Sequence, residues 1–246
     1  MKFCILASGS KGNCTYVEIK NKKFLIDVGI NFLNLSKKLN DINVRPEEIE
    51  GIFITHSHID HINGLSTMLK KVNPKIYISE KTKKELKFEI NNCYLIDELI
   101  TFDDFNIKPI KLSHDVAECL GYIFDDKMVY ITDTGYINNK YYDDLTNKTA
   151  YIIESNHDVD MLMESNRPYF LKMRILGDEG HISNKDCGYY LSKFIGEDTK
   201  HIVLAHLSEN NNTKEKALDT VLSYINYKNN IHVAMQNERT EVIEIW

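Results

Sequence analysis

The stretch GIFITHSHIDHINGL, residues 51–65, sets His56, His58, Asp60 and His61 within six positions. They follow an apolar run, Ile52-Phe53-Ile54, of the kind that forms a buried strand. Imidazole and carboxylate side chains together suit zinc, manganese or iron. The same event recurs downstream, where apolar runs end in His114, Asp133, Glu154 and His206. Strand ends at one sheet edge point to one place, and catalytic groups sit on such loops, held by a rigid scaffold. Carboxylates can bridge, so this many ligands would fill two metal sites rather than one. Each residue also has a plainer reading. His114 could cap a turn, Asp133 before Thr134-Gly135 could be a turn aspartate, and His206 could be a core histidine. Their order and shared strand-end placement raise all three together.

Positioning these groups requires a mixture of strands and helices. Strands are expected at 3–7, 14–19, 23–29, 51–55, 75–79, 107–115, 120–124, 128–135, 150–158 and 201–208. A helix is expected at 34–42, where Leu35, Leu39 and Ile42 fall at helical spacing. Further helices are expected from Asp60 to Val72, at 181–195 beginning near His181, and at 213–225. The segments 231–235 and 241–246 are expected to close the sheet together. The expected packing of such elements is two layers of sheet with helices outside. With 246 residues, no repeats and no linker, the chain reads as a single domain over 1–246.

Composition narrows the partners. Five cysteines at 4, 14, 93, 119 and 187, an odd number without a CxxC pair, argue for a reducing compartment. The N-terminal MKFCILASGS carries too short an apolar run for a signal peptide. No segment approaches the roughly 18 apolar residues of a membrane span. A cytoplasmic location without membrane contact is expected. The net charge of −6 means that any nucleic acid must be held by a local patch. The segment 70–87, with seven lysines against two glutamates, is one candidate, although such a run is commonly a solvated face. The loop SGSKGN (8–13) offers Ser10, Lys11 and Asn13 as substrate contacts. Its backbone N–H groups could cradle a phosphate, or it could be a plain turn between strands.

HSHIDH matches HxHxDH, the signature of the metallo-β-lactamase-fold hydrolases, and SHD (113–115), TDTG (132–135) and AHLS (205–208) follow in that family's order. Asp27 in LIDVG matches an acid the family carries there, which orients a ligand or shapes a turn. The resemblance implies an αββα sandwich, two mixed β-sheets flanked by helices, with a dinuclear site of two divalent ions, zinc, manganese or iron. It implies that His56, His58 and His114 hold one metal, that Asp60, His61 and His206 hold the other, and that Asp133 bridges them. Asp60 would also bond the nucleophile.

HxHxDH alone names no substrate. Glu154 at a strand end and His181 in GHIS (180–183) stand where the phosphodiesterase branch, ribonuclease Z included, has a Glu and a histidine near the scissile phosphate. This implies His181 as general acid and Glu154 as its orienter; an alkoxide leaving group needs such a proton. ASGSKGN (7–13), ESNHD (154–158), RILGDEGHISN (174–184) and LAHLSENNN (204–212) together resemble the YycJ (WalJ) family. That resemblance implies a metal-dependent DNA exonuclease acting 5′ to 3′ in DNA repair, with DNA favoured over RNA. Only 48 positions separate Asp133 from His181, too few for an inserted β-CASP domain. His157 in ESNHD is expected to contact a phosphate, with proton donation or a structural role as alternatives. The rival functions are a small-molecule hydrolase (lactonase, thioesterase or cyclic phosphodiesterase) and an RNA-processing nuclease.

Overall fold

In the computed structural model, residues 1–227 and 230–245 are described. Contacts divide the chain into two compact units. The first is Met1–Leu99 with Val116–Glu118 and Met235–Trp246; the second is Ile100–Asp115 with Cys119–Ala234.

The first unit is built on a seven-stranded sheet of order β14-β1-β2-β3-β4-β5-β6. Its strands are β1 (Lys2–Ala7), β2 (Cys14–Ile19), β3 (Lys22–Ile26), β4 (Gly51–Phe53), β5 (Lys75–Ser79), β6 (Cys93–Ile96) and β14 (Ile243–Glu244). The strands β3 to β6 run parallel. Parallel neighbours need crossovers, and helices α1 (Phe32–Asn40), α2 (Ile59–Ile62), α3 (Leu65–Lys71) and α4 (Glu80–Glu85) supply them. Asn31 starts α1 by accepting a hydrogen bond from the Asn34 amide, and Leu35 and Leu39 are fully buried. Each such leucine contributes roughly 1.5–3 kcal/mol by burial. The rings of Phe24, Phe53, Tyr77 and Tyr94 pack in series across β3 to β6, with centroids 5.4, 4.5 and 5.7 Å apart.

The second unit has a seven-stranded sheet of order β13-β12-β11-β10-β9-β8-β7. Its strands are β7 (Ile100–Thr101), β8 (Asn106–Leu112), β9 (Cys119–Phe124), β10 (Met128–Ile131), β11 (Ala150–Glu154), β12 (His201–Ala205) and β13 (Ile231–Val233). The run β10 to β13 is parallel. Its members AYIIE and MVYI are buried at every position, as strands covered on both faces must be. Helices α5 (Tyr142–Leu145), α6 (Val159–Glu164), α7 (Tyr169–Leu176), α8 (Asn184–Phe194) and α9 (Lys214–Tyr224) make the connections.

Several expectations are corrected. The C-terminal segments do not close one sheet: β13 pairs with β12, whereas β14 pairs with β1. Residue 246 of the expected 241–246 strand lies outside the described residues. The expected helix from Asp60 to Val72 is two helices, α2 and α3, separated at Asn63-Gly64. A Cβ on Gly64 would lie 2.1 Å from the Ile30 carbonyl oxygen, so the chain can pass there only as glycine.

The expected helix at 181–195 begins at Asn184, because Ser183 and Asp186 form a reciprocal capping box. Strands β6 and β7 and helices α4 to α7 had no clear sequence period. The expected strands at 23–29, 128–135 and 150–158 end early, at Ile26, Ile131 and Glu154. Asp27 and Asp133 then adopt left-handed backbone, with φ of 58° and 60°.

Three connections in the first unit interlock through their backbones. The Asn13 amide donates to Asp60 O at 2.7 Å, that of Gly29 to Asn13 O at 2.8 Å, and that of Val28 to His61 O at 2.8 Å. A Cβ on Gly29 would fall 1.6 Å from Asp60 O. Gly29→Ala is therefore expected to exceed the ~1–3 kcal/mol of ordinary overpacking and to displace Asp60. Urea unfolding with metal titration checks both, and unchanged values for both would show that the three-way contact tolerates a methyl group.

Candidate functional site

The parallel strands explain why the chemistry collects where it does. In the second unit β10, β11 and β12 end side by side, delivering Asp133, Glu154 and His206 to one edge. Strand β8 runs the same way as β10, being antiparallel to the intervening β9, and delivers His114. His206 is the third site residue with left-handed backbone, φ 56°. A non-glycine residue in that region is uncommon and is found where surrounding structure enforces it. Here it ends the strand and turns the side chain out of the sheet plane.

Asp133, Glu154, His181 and His206 each place a ligand atom within 4.8 Å of the others. Glu154 is fully buried, and its Oε1 accepts from Nδ1 of His181 at 2.7 Å and from Nδ1 of His206 at 2.9 Å. Burial opposes ionisation of Glu154, but the charges and hydrogen bonds of the two histidines outweigh it and hold the carboxyl well below the usual range. Burial likewise opposes the charged form of His181, and the charge and hydrogen bond of Glu154, helped by Asp133, outweigh it and raise His181 above the ordinary histidine range. His114 packs 5.1 Å from His181, ring to ring, and its Nδ1 meets Gly180 O at 3.2 Å. Burial lowers its pKa. Arg174 clamps Asp115, the residue after His114.

In the first unit, β3 and β4 end side by side and lead to Asp27 and His56. The His56 ring lies 4.1 Å from that of His61 and 4.8 Å from that of His58. Asp60 Oδ2 lies 3.6 Å from His61 Nε2. Asp27 is fully buried; one oxygen accepts from His61 Nδ1 at 2.7 Å and from the Thr55 hydroxyl at 2.8 Å. That hydroxyl in turn lies 3.0 Å from His56 Nδ1. Burial pushes the Asp27 carboxyl above its usual range against the pull of His61.

One rule covers both clusters. His56, His61, His114 and His206 each turn Nδ1 to a protein oxygen, on Thr55, Asp27, Gly180 and Glu154 respectively. Engaging Nδ1 fixes the tautomer that leaves Nε2 as electron donor, the usual arrangement of a metal-ligating histidine. The Asn13 amide lies 2.9 Å from His61 Nε2, as a donor would to that lone pair. The donor set is nitrogen and oxygen without sulfur, which fits zinc, manganese or iron.

Other expected contacts fall differently. Asn13 is buried and bonds Gly9 and Asp60, so it supports the metal-type residues. Ser10 and Lys11 are exposed on the same loop. The amides of Gly9, Lys11, Gly12 and Asn13 are all taken by protein acceptors, which makes SGSKGN a tight turn rather than a phosphate cradle. His157 is fully enclosed, with Nδ1 3.3 Å from Asn156 Oδ1, and its carbonyl accepts from the Asn184 amide. The enclosed ring has no solvent-facing surface for the expected phosphate contact. Among the lysines of 70–87, Lys81 pairs with Glu118 and Lys84 with Glu80, while Lys71 and Lys75 lie over aromatic rings. Thr55 and the Gly180 carbonyl had no sequence signal, because neither type marks a site.

Two outcomes follow. Asp27→Asn removes the carboxylate behind His61 and is expected to weaken metal affinity by ~10–100-fold, read by competition with a chromogenic chelator. His157 is lowered to about 4, chiefly by burial. The unfolded chain therefore takes up a proton below about pH 6.5 that the folded chain refuses until about pH 4. In metal-free protein, stability is lost as pH falls through that window, on the order of 3 kcal/mol from this ring. His157→Asn should flatten that limb of the stability curve, and an equally steep limb would assign the loss to other groups.

Comparison with known proteins places this geometry in context. A family model described as Beta-lactamase superfamily domain matches residues 22–206. A Bacillus anthracis protein named Exodeoxyribonuclease YycJ is 36% identical over 238 residues, covering 93% of this chain and 90% of that protein. Exodeoxyribonuclease WalJ of Streptococcus pneumoniae serotype 2 is 38% identical over 239 residues, covering 91% and 88%. The crystal structure of the metallo-beta-lactamase fold protein YhfI from Bacillus subtilis matches with a TM-score of 0.72 at 16% identity, covering 97% of this chain and 98% of that one. That likeness bears on the fold: two mixed sheets flanked by helices.

Proposed function

This chain belongs to the beta-lactamase superfamily, in its YycJ/WalJ family, and from that premise we propose that it is a metal-dependent exodeoxyribonuclease. Its relatives are named exodeoxyribonucleases, and nucleic acid is accordingly the substrate class, with DNA preferred over RNA. Two divalent ions, zinc or manganese, are assigned to His56, His58, Asp60, His61, His114, Asp133 and His206. When bound, such ions ready a water for attack and offset the charge on the phosphate.

The observation that carries the reading is the pair formed by Glu154 and His181. Hydrolysis of a phosphodiester expels an alkoxide, which needs a proton as the bond to phosphorus breaks. His181 is held by Glu154 through Nδ1, so its Nε2–H is the proton left to give. Its raised pKa keeps the ring protonated closer to neutral pH. Its side chain is 22% exposed, whereas Glu154 has no exposure, so the donor is reachable and its orienter is sealed from water. Ester hydrolases whose leaving group departs more readily have less need of such a donor. Asp60, beside His61, would accept from the attacking water.

His181→Ala is expected to retain bound metal by elemental analysis and to lose strand cleavage by on the order of 10²-fold or more. Glu154→Gln should keep the fold, lower the pKa of His181, and move the alkaline-side limb of the pH–rate profile, where the acid has lost its proton, to lower pH. End-labelled single and double strands of DNA, with RNA of the same sequence, test polarity and sugar preference. An Ala variant with parent activity would remove His181 from the chemistry, and equal cleavage of RNA would remove the preference for DNA.

A further inference from the structure

The first unit carries a groove of about 650 Å³ outside the residues assigned above to metal and proton transfer. Four cations, Lys11, Lys37, Lys38 and Arg239, line it against two anions, Asp41 and Glu238. This local excess of positive charge stands in a chain of net charge −6. The groove is built by segments far apart in sequence: the turn between β1 and β2, the helix α1, and the stretch before β14. Lys38 Nζ donates to Asn237 O at 2.9 Å, and Arg239 donates to Thr240 O at 2.9 Å. Neutral carbonyls thus hold both head groups, and Lys38 also feels the Asp41 carboxylate on the same groove. Among the described lining residues Ile30 is the only apolar one, so the groove offers no surface on which a base could stack. Its chemistry is that of an anion receptor, and several cations with amide donors around them suit a phosphate.

Its position gives it a purpose. Gln236 joins the groove to the turn: the Lys11 amide donates to Gln236 Oε1 at 2.7 Å, and Gln236 Nε2 donates to Gly12 O at 3.0 Å. The next residue, Asn13, reaches Asp60 and His61. Asn63, on the groove wall, is two residues beyond His61, a chain distance of no more than about 7.6 Å. One strand of duplex advances ~3.4 Å per nucleotide along its axis. A phosphate in the groove therefore lies one or a few nucleotides from one held beside Asp60 and His61.

We propose that this groove binds a backbone phosphate of the nucleic-acid substrate, close along the strand to the phosphate that is cleaved. The inference rests on the nuclease reading above and adds to it a subsite. It assigns the grip to Lys37, Lys38 and Arg239 rather than to the lysines of 70–87, several of which already have acidic or aromatic partners.

The test compares the metal-loaded parent with Lys37→Gln/Arg239→Gln and with Lys81→Gln/Lys84→Gln on labelled DNA strands. The groove variant is expected to raise KM about tenfold with kcat little changed, and to reduce the slope of log affinity against log salt by ~0.7–0.9 for each phosphate that it no longer neutralises. Its turnover of a small chromogenic phosphodiester should equal the parent's, since that substrate does not reach the groove. The α4 variant should match the parent in every readout. If the double substitution disturbs folding by circular dichroism, Lys37→Gln alone, at an exposed position, carries the same comparison. Parent-like KM and salt slope in a folded groove variant overturn the subsite while leaving the nuclease reading intact. A parent that cleaves no strand overturns the nuclease reading and the subsite with it. Loss of nucleoside monophosphate binding with unchanged strand KM also overturns the proposal, because the groove would then serve a free nucleotide.

Discussion

Glu154 stands without solvent access at the end of β11, and one of its oxygens is shared between His181 and His206. A buried carboxylate is costly unless it is paired and hydrogen-bonded. Two imidazole N–H groups meet that requirement here, and the Thr134 amide bonds the other oxygen at 3.0 Å. The pairing has a consequence for each ring. His206 is left with Nε2 as an electron donor, whereas His181, its charge favoured by Glu154, is left with a proton to donate. One carboxylate thereby sets two identical side chains for the opposite roles proposed for them. The backbone reinforces this, since the Asn156 and Asn184 amides tie the strand end to the segment around His181.

The first unit solves a related problem by a relay. Asp27 is the buried anion, His61 and Thr55 are its partners, and the Thr55 hydroxyl passes the orientation on to His56. The two clusters therefore share a design: a sealed carboxylate hydrogen-bonded to Nδ1 of an imidazole. Substituting either carboxylate would free the tautomer and ring angle of its imidazole partners.

Backbone strain has a recurrent place in this arrangement. Asp27, Asp133 and His206 all leave their strands in left-handed conformation. Aspartate tolerates this region better than most residues; histidine does so less readily than glycine but is still enriched there. A strand that continued in extended conformation would alternate its side chains to the two faces of the sheet. The left-handed residue breaks that alternation and sends the side chain off the sheet's end. Local strain is commonly found where packing and hydrogen bonds over-determine a functional geometry, and each of these residues is buried and hydrogen-bonded or ion-paired.

The sequence by itself determined the candidate ligand types, the succession of strands ending in them, and the resemblance that joins them, because strand-forming apolar runs and HxHxDH are local patterns. It also marked Glu154 and His181, and the spacing that leaves no room for an inserted domain. Several things were decided only in three dimensions. Strand ends depend on backbone angles that Asp27 and Asp133 adopt against the apolar pattern around them. The partner sheets of β13 and β14 depend on long-range pairing that their short sequences do not encode. The burial of Asn13 and His157, which no motif reports, appeared only in the fold. The groove of Lys11, Lys37, Lys38 and Arg239 was invisible for another reason: its charges are separated by up to 228 positions and meet only when β14 pairs beside β1. Charge density along a chain is local, whereas an electrostatic site is made by convergence in space.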